Sequence, residues 1–278
     1  MDAMHNPICV TCGTQFPERD GPPERCPICE DERQFVGWQG QQWTTLEAMR
    51  GQYRNTIHEE EPGLFSIRTE PSFGIGQRAF LLQTPEGNVL WDCITLLDEE
   101  TRERVTELGG IREIAIPHPH YYSAMVEWSR AFGDAPIHLH EADKRWVMRP
   151  DPCIRFWTGE SRELLPGITL VRSGGHFEGF QVLHWAAGAD GRGVLLAGDQ
   201  PQVCMDRRWV SFLYSYPNYI PLGAAPVRRI VASLEPFPFD RLYGAFQGRS
   251  VDSDAGAAVA RSAERYLRYL EEDASKRP

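Results

Sequence analysis

The sequence predicts an α/β protein with a small metal-ordered module at its front. Three observations lead there. Two C-x2-C pairs, Cys9/Cys12 and Cys26/Cys29, stand before residue 30. Beyond residue 63, short apolar runs of strand character alternate with helix candidates. Two of those runs lead into metal-ligating side chains: residues 111–116 into His118-Pro119-His120, and residues 193–198 into Asp199.

The length of 278 residues suits one large domain, or a large one with an appendage. Hydrophobic content of 41% and charged content of 24% are those of a globular protein. A formal charge of -10 argues against a nucleic-acid-binding face or attraction to anionic membranes. No apolar run approaches the ~20 residues that cross a bilayer. Residues 1–6 lack a basic region followed by an apolar core, so no secretory signal is expected and a cytoplasmic location is the default. The expected partner is a small-molecule substrate, with no nucleic acid and no membrane.

Residues 1–36 form the expected module. Each C-x2-C pair makes a tight turn in which two thiolates converge, and Gly13 supplies the positive φ that such a turn needs. Four thiolates, Cys9, Cys12, Cys26 and Cys29, make a closed tetrahedral site without an open position, hence a structural one. The knuckles resemble those of rubredoxin-like zinc ribbons, and zinc is expected over iron. Pro17, Asp20, Gly21, Pro22 and Pro23 mark a turn-rich loop between the pairs. So small a module lacks an independent core, so the metal supplies much of its folding free energy. It is also the expected surface for docking a partner or for a homodimer. Cys93, Cys153 and Cys204 are scattered, which is not a disulfide framework.

Residues 37–278 form the expected main domain. In its entry, Trp38 and Trp43 are expected either to pack module and domain together or to serve as ordinary core residues, and Thr44 to cap a short helix with Glu47 three residues on. Residues 64–68, 79–82 and 89–94 read as strands, the last two joined as a hairpin through 84–88. Residues 96–108 read as a charged helix ended by Gly109-Gly110. After the strand 111–116, an extended chain would point residues i and i+2 the same way, so His118 and His120 are expected to reach one ion from a strand end. Ser123 is the expected cap of the next helix. A second cycle gives a strand at 136–140, a helix at 141–147, and strands at 170–172, 180–185 and 193–198. A helix at 227–234, a strand at 242–246 and a helix at 252–272 follow. The last helix has an apolar face through Ala258, Ala263, Tyr266, Leu267 and Leu270. His138, His140 and His184 lie in strand patterns and are expected to be core or supporting residues.

In this order the motifs resemble the metallo-β-lactamase superfamily over roughly residues 64–270. Leu90-Trp91-Asp92 stands where that family commonly has an Asp, followed by the His118-x-His120 loop. Gly174-Gly175-His176 matches its third metal histidine, and residues 195–199 its bridging Asp. The resemblance implies an αβ/βα four-layer sandwich of two mixed sheets with helices on the outer faces. The departures matter as much. Where the family has H-x-H-x-D-H, the last two positions here are Tyr122 and Ser123, and Gln247-Gly248 stands where a further His usually precedes Gly. Three second-metal ligands are therefore missing, and a divalent ion needs about four donors.

The resemblance thus implies a mononuclear site of His118, His120, His176 and Asp199, suited to Zn and, with Asp199 as a ligand, to Fe or Mn. The expected reaction is attack of a metal-bound hydroxide on an ester, thioester or amide. Asp199 or a nearby histidine would handle protons, and Tyr122 would either donate a hydrogen bond to the developing oxyanion or fill the vacated metal site as an aromatic. Two alternatives stand beside it: a mononuclear-iron oxygenase, and a non-catalytic protein that binds a metal or ligand in a degenerate site.

Overall fold

The computed structural model describes residues 5–271. The reading of residues 1–4 and the end of the expected last helix, Glu272, lie outside the described residues. The chain divides after Thr158 into two compact units, each built on a large mixed sheet.

The sheet of the first unit holds seven strands in chain order: Arg54–Glu61, Leu64–Glu70, Ala79–Leu82, Val89–Trp91, Glu113–Ala115, Ile137–His140 and Ile154–Trp157. The first four run antiparallel, including the expected hairpin with Leu81 opposite Leu90. The last three join in parallel. Parallel neighbours need crossovers, and helices Glu99–Glu107 and Met125–Ala131 lie in two of them. The first is started by Asp98, whose carboxylate accepts from Thr101 N at 2.8 Å. Ala79–Leu82 and Val89–Trp91 are buried throughout, so these strands read as continuous apolar runs.

The cysteine module belongs to this unit. Ile8–Cys9 pairs antiparallel with Trp43–Thr44. Phe16 and Ile28 pack with the four sulfurs, and Trp43 meets Phe16 edge-on at 5.1 Å. Trp38 does not share in this packing: it is 99% exposed. The short helix Leu46–Met49 is capped by Thr45, which accepts from Ala48 N at 3.1 Å, because Thr44 is taken up in the strand pair.

The second unit has a six-stranded sheet: Ser161–Leu165, Ile168–Arg172, Gln181–Trp185, Val194–Gly198, Arg241–Gly244 and Ser250–Val251. All neighbours are antiparallel except Val194–Gly198 with Arg241–Gly244. Helix Ala224–Leu234 buries Val227, Ile230 and Leu234, and helix Ala255–Glu271 buries Ala258, Val259 and Ala263. The apolar stripe of the latter stops short of its expected end, since Leu270 is exposed. Tyr266 instead donates its hydroxyl to Phe212 O at 2.6 Å. No helix among the described residues is long and apolar enough to cross a membrane.

Candidate metal centre

The four cysteines converge as expected, and all are buried. Cys9 Sγ lies 3.6 Å from Cys29 Sγ, and Cys12 Sγ 3.7 Å from Cys26 Sγ. Zn–S bonds of about 2.3 Å in a tetrahedron require sulfurs about 3.8 Å apart, so the set fits one ion. The first knuckle closes through Gly13 N donating to Cys9 O at 2.8 Å, with Gly13 at φ 79°. The second closes through Cys29 N to Cys26 O at 3.1 Å. Gln41 was not singled out by the sequence. Its Nε2 donates to Cys9 Sγ at 3.2 Å, and its Oε1 accepts from Cys26 N at 3.1 Å. Hydrogen bonds from Cys12, then Cys26 and Cys29, push the Cys9 thiol down. Cys12 is pushed up, first by its bonding to Cys26 and the other sulfurs and then by burial. Four buried thiols share few ionisations among themselves, whereas a bound dication lets all four ionise.

His118 and His120 are buried at 1% and 3% exposure. Only His118 is extended. Pro119–Tyr121 forms a 3-10 turn, with Tyr121 N donating to His118 O at 3.1 Å. The expected strand-end pair is therefore a turn pair, because Pro119 at the first helical position favours the turn. The two rings still approach, with centroids 5.1 Å apart. Tyr121 packs its ring on His118 at 4.4 Å. Tyr122 is buried, and burial first, then the charge of Asp143, pushes its phenol well above the ordinary range. Ser123 is not the expected helix cap. It sits at φ 43°, and its hydroxyl bonds Gln77 and the Cys93 carbonyl.

His176 and Asp199 are set by two loops of the second unit. Gly174 and Gly175 adopt φ 68° and 88°, and a Cβ on Gly175 would stand 2.4 Å from Gln200 Nε2. Gln200 Nε2 donates to Gly174 O at 2.6 Å, tying the histidine loop to the residue after Asp199. His176 Nδ1 lies 2.6 Å from Tyr214 O. A carbonyl accepts only from N–H, so Nδ1 carries the proton and Nε2 keeps the ligand lone pair. Tyr216 donates its hydroxyl to Asp199 O. Burial, then the charge of Asp199, pushes that phenol up. His118 and His120 belong to the first unit and His176 and Asp199 to the second, and all four residues are buried.

The remaining strand histidines are engaged in the fold. His138 Nε2 meets Glu113 Oε2 at 2.7 Å, His140 Nδ1 accepts from Ala142 N at 3.2 Å, and His184 Nε2 meets Pro238 O at 2.8 Å. Burial holds the His184 imidazole below its ordinary pKa.

No family model matches the chain. A relative, the uncharacterized protein YmaE of Bacillus subtilis (strain 168), is 53% identical over 265 residues, covering 95% of this chain and 96% of that protein. Among solved structures, a metallo-beta-lactamase of Cronobacter sakazakii described by an HARLDQ motif has a TM-score of 0.52. It is 18% identical, over 77% of this chain and 92% of that one. VMB-1 has a TM-score of 0.57 at 10% identity, over 78% and 98%. The DIM-1 metallo-beta-lactamase has 0.55 at 13%, over 77% and 98%. At these identities the likeness is one of fold, and it agrees with the two mixed sheets. Matching YmaE at more than half of the aligned positions along nearly all of both chains, this protein belongs to the YmaE family, and it carries the metallo-β-lactamase fold together with a four-cysteine ribbon.

Proposed function

We propose that this protein is a metal-dependent hydrolase with one catalytic ion held by His118, His120, His176 and Asp199, and one structural zinc held by Cys9, Cys12, Cys26 and Cys29. The observation that supports the reading is made in each unit separately: His118 and His120 stand two residues apart on one buried turn of the first, and in the second the Tyr214 carbonyl leaves His176 Nε2 as the donor, with buried Asp199 following strand Val194–Gly198. A bound zinc supplies Lewis acidity and lowers the pKa of a coordinated water to about 7.

The chain's own residues do the rest. The Tyr214 carbonyl fixes the His176 tautomer so that Nε2 faces outward as a ligand. Asp199 would help hold the ion, and would take a proton from the attacking water and return it to the leaving group. Tyr122 is the residue proposed to donate a hydrogen bond to the developing oxyanion. With Tyr122 and Ser123 at the positions noted above, four donors serve one ion, and the substrate class is a small-molecule ester, thioester or amide. The same donor set also suits Fe(II) or Mn(II), which keeps oxygenase chemistry as the second reading.

Metal content per chain, with turnover of an ester, thioester and amide panel in air and under nitrogen, tests this. Two zinc ions are expected in the parent. The double change His118→Ala/His120→Ala should lose one ion and all turnover without unfolding the chain. Tyr122→Phe should lower kcat about 100-fold with little change in KM. Iron with substrate-dependent oxygen consumption would move the assignment to the oxygenase. A zinc-loaded parent that turns over nothing in the panel would refute the hydrolase.

A further inference from the structure

We infer that the four-cysteine ribbon is the positioning element of the His118/His120 loop, and that Gln15 is the residue through which it acts. The inference rests on the metal site proposed above, and all of its contacts lie within the first unit.

The first knuckle continues past Cys12 into a short antiparallel return, in which Gln15 lies opposite Ile8. That return uses its own hydrogen bonds on either side of this pair, Cys9 N to Thr14 O at 3.0 Å and Phe16 N to Pro7 O at 2.8 Å. The Gln15 N–H therefore faces away from the knuckle. It donates to Ser123 O at 3.0 Å. Ser123 is three residues after His120 and closes the histidine loop at a positive φ.

Three further contacts hold the same joint. Thr95 Oγ1 donates to Gly13 O at 3.0 Å, and a Cβ on Gly13 would stand 2.4 Å from that oxygen. Gln77 Nε2 donates both to Cys93 O at 2.8 Å and to Ser123 Oγ at 3.2 Å. The Arg149 guanidinium bonds Gln15 Oε1 and Glu127 Oε1. Thr14, Gln15, Ser123 and Arg149 are all buried, and the space left among them is about 10 Å³. That is at the lower limit for one water, so the joint is packed side chain to side chain.

A metal at the sulfurs fixes the knuckle, the knuckle fixes the Gln15 N–H, and that donor fixes the carbonyl end of the loop bearing two ligands of the second site. Coupling of this kind is reciprocal. A metal at the histidines tightens the cysteine site by the same factor as the cysteine metal tightens the histidine site.

The test uses the full chain, stripped of metal and titrated with Co²⁺. Sulfur charge-transfer bands report the ribbon, Co²⁺ bound beyond the equivalent that saturates those bands reports the histidine site, and hydrogen exchange follows the amides of residues 121–125. Gln15→Pro removes the N–H and leaves every thiol and both return hydrogen bonds. It should keep the sulfur bands, weaken Co²⁺ at the histidines about tenfold or more, and speed exchange across 121–125. Gln15→Ala keeps the N–H and loses only the Arg149 bond, so it should fall between the parent and Gln15→Pro in both readouts.

A Gln15→Pro chain with intact sulfur bands and parental affinity and exchange overturns the inference. Should that variant lose its sulfur bands, Thr95→Val takes its place, with faster exchange expected at 121–125 and parental exchange overturning the inference. A parent that takes up no Co²⁺ at the histidines defeats the proposed function alone. The exchange of 121–125 then decides the coupling by itself, faster in Gln15→Pro if the ribbon positions the loop and unchanged if it does not.

Discussion

Replacing Gly175 by Ala separates what this glycine does for the backbone from what it does for the site. Gly175 adopts φ 88°, which costs an L-residue about 1–2 kcal/mol. Its new Cβ would stand 2.4 Å from Gln200 Nε2, 2.9 Å from Ile230 Cδ1 and 3.1 Å from Leu222 Cδ1. Overpacking of that kind costs about 1–3 kcal/mol. Gln200 is fully buried, and pushing it aside breaks its 2.6 Å bond to Gly174 O. A buried acceptor left alone costs about 1–3 kcal/mol more. Together Gly175→Ala should destabilise by about 3–8 kcal/mol. Gly191→Ala is the control, because Gly191 has φ 82° with nothing within 4 Å of its Cβ position. It should lose only the backbone part, about 1–2 kcal/mol. At about 2–4 °C per kcal/mol for a chain of this size, thermal melts should place Gly175→Ala well below Gly191→Ala. Metal retention should fall in the first variant only, since His176 follows directly. Equal melting temperatures for the two would refute the close-packing argument.

Two further outcomes follow from burial. His184 is held below its ordinary pKa by desolvation, so the unfolded chain binds a proton that the folded chain refuses. Stability should therefore rise with pH through about 6.5 and fall as pH drops below it. His184→Gln should flatten that part of a melting-temperature profile, and a profile of unchanged slope would count against the assignment. In the ribbon, Trp43→Ala should cost about 3 kcal/mol because Trp43 packs on Phe16. Trp38→Ser should stay within about 0.5 kcal/mol, because Trp38 is almost wholly exposed; urea unfolding of the pair compares them.

Local chemistry made much of this legible in the sequence. The C-x2-C spacing places four sulfurs, and the runs before His118 and Asp199 put both at strand ends in the order the fold requires. Close neighbours misled where tertiary partners decided the matter. Ser123 has the side chain of a helix cap, yet Gln77 and the Cys93 carbonyl claim its hydroxyl. Thr44 and Thr45 are equally good caps by type, and strand pairing with Ile8 removes the first. Gln41 at the sulfurs and the Tyr214 carbonyl at His176 had no signal at all. The second is 38 residues from its partner, and any residue could supply that oxygen.

The strictly sequential order of the first sheet bears on how the chain is made. Every strand pairs with the one translated just before it, so each new rung closes a short loop with a small entropy cost. The cysteine knuckles leave the ribosome earlier still, and the ladder that carries His118 is complete before Gly159 has been added. The second sheet keeps chain order too, but four short strands of other pairs intervene between Gly198 and Arg241. Its central parallel pair, Val194–Gly198 with Arg241–Gly244, must wait for the residues between them. At about 5–20 residues per second that wait is about 2–8 s, during which the nascent chain presents an apolar strand with one edge unpaired. Chaperone dependence in the cell should accordingly concentrate in the second half of the chain.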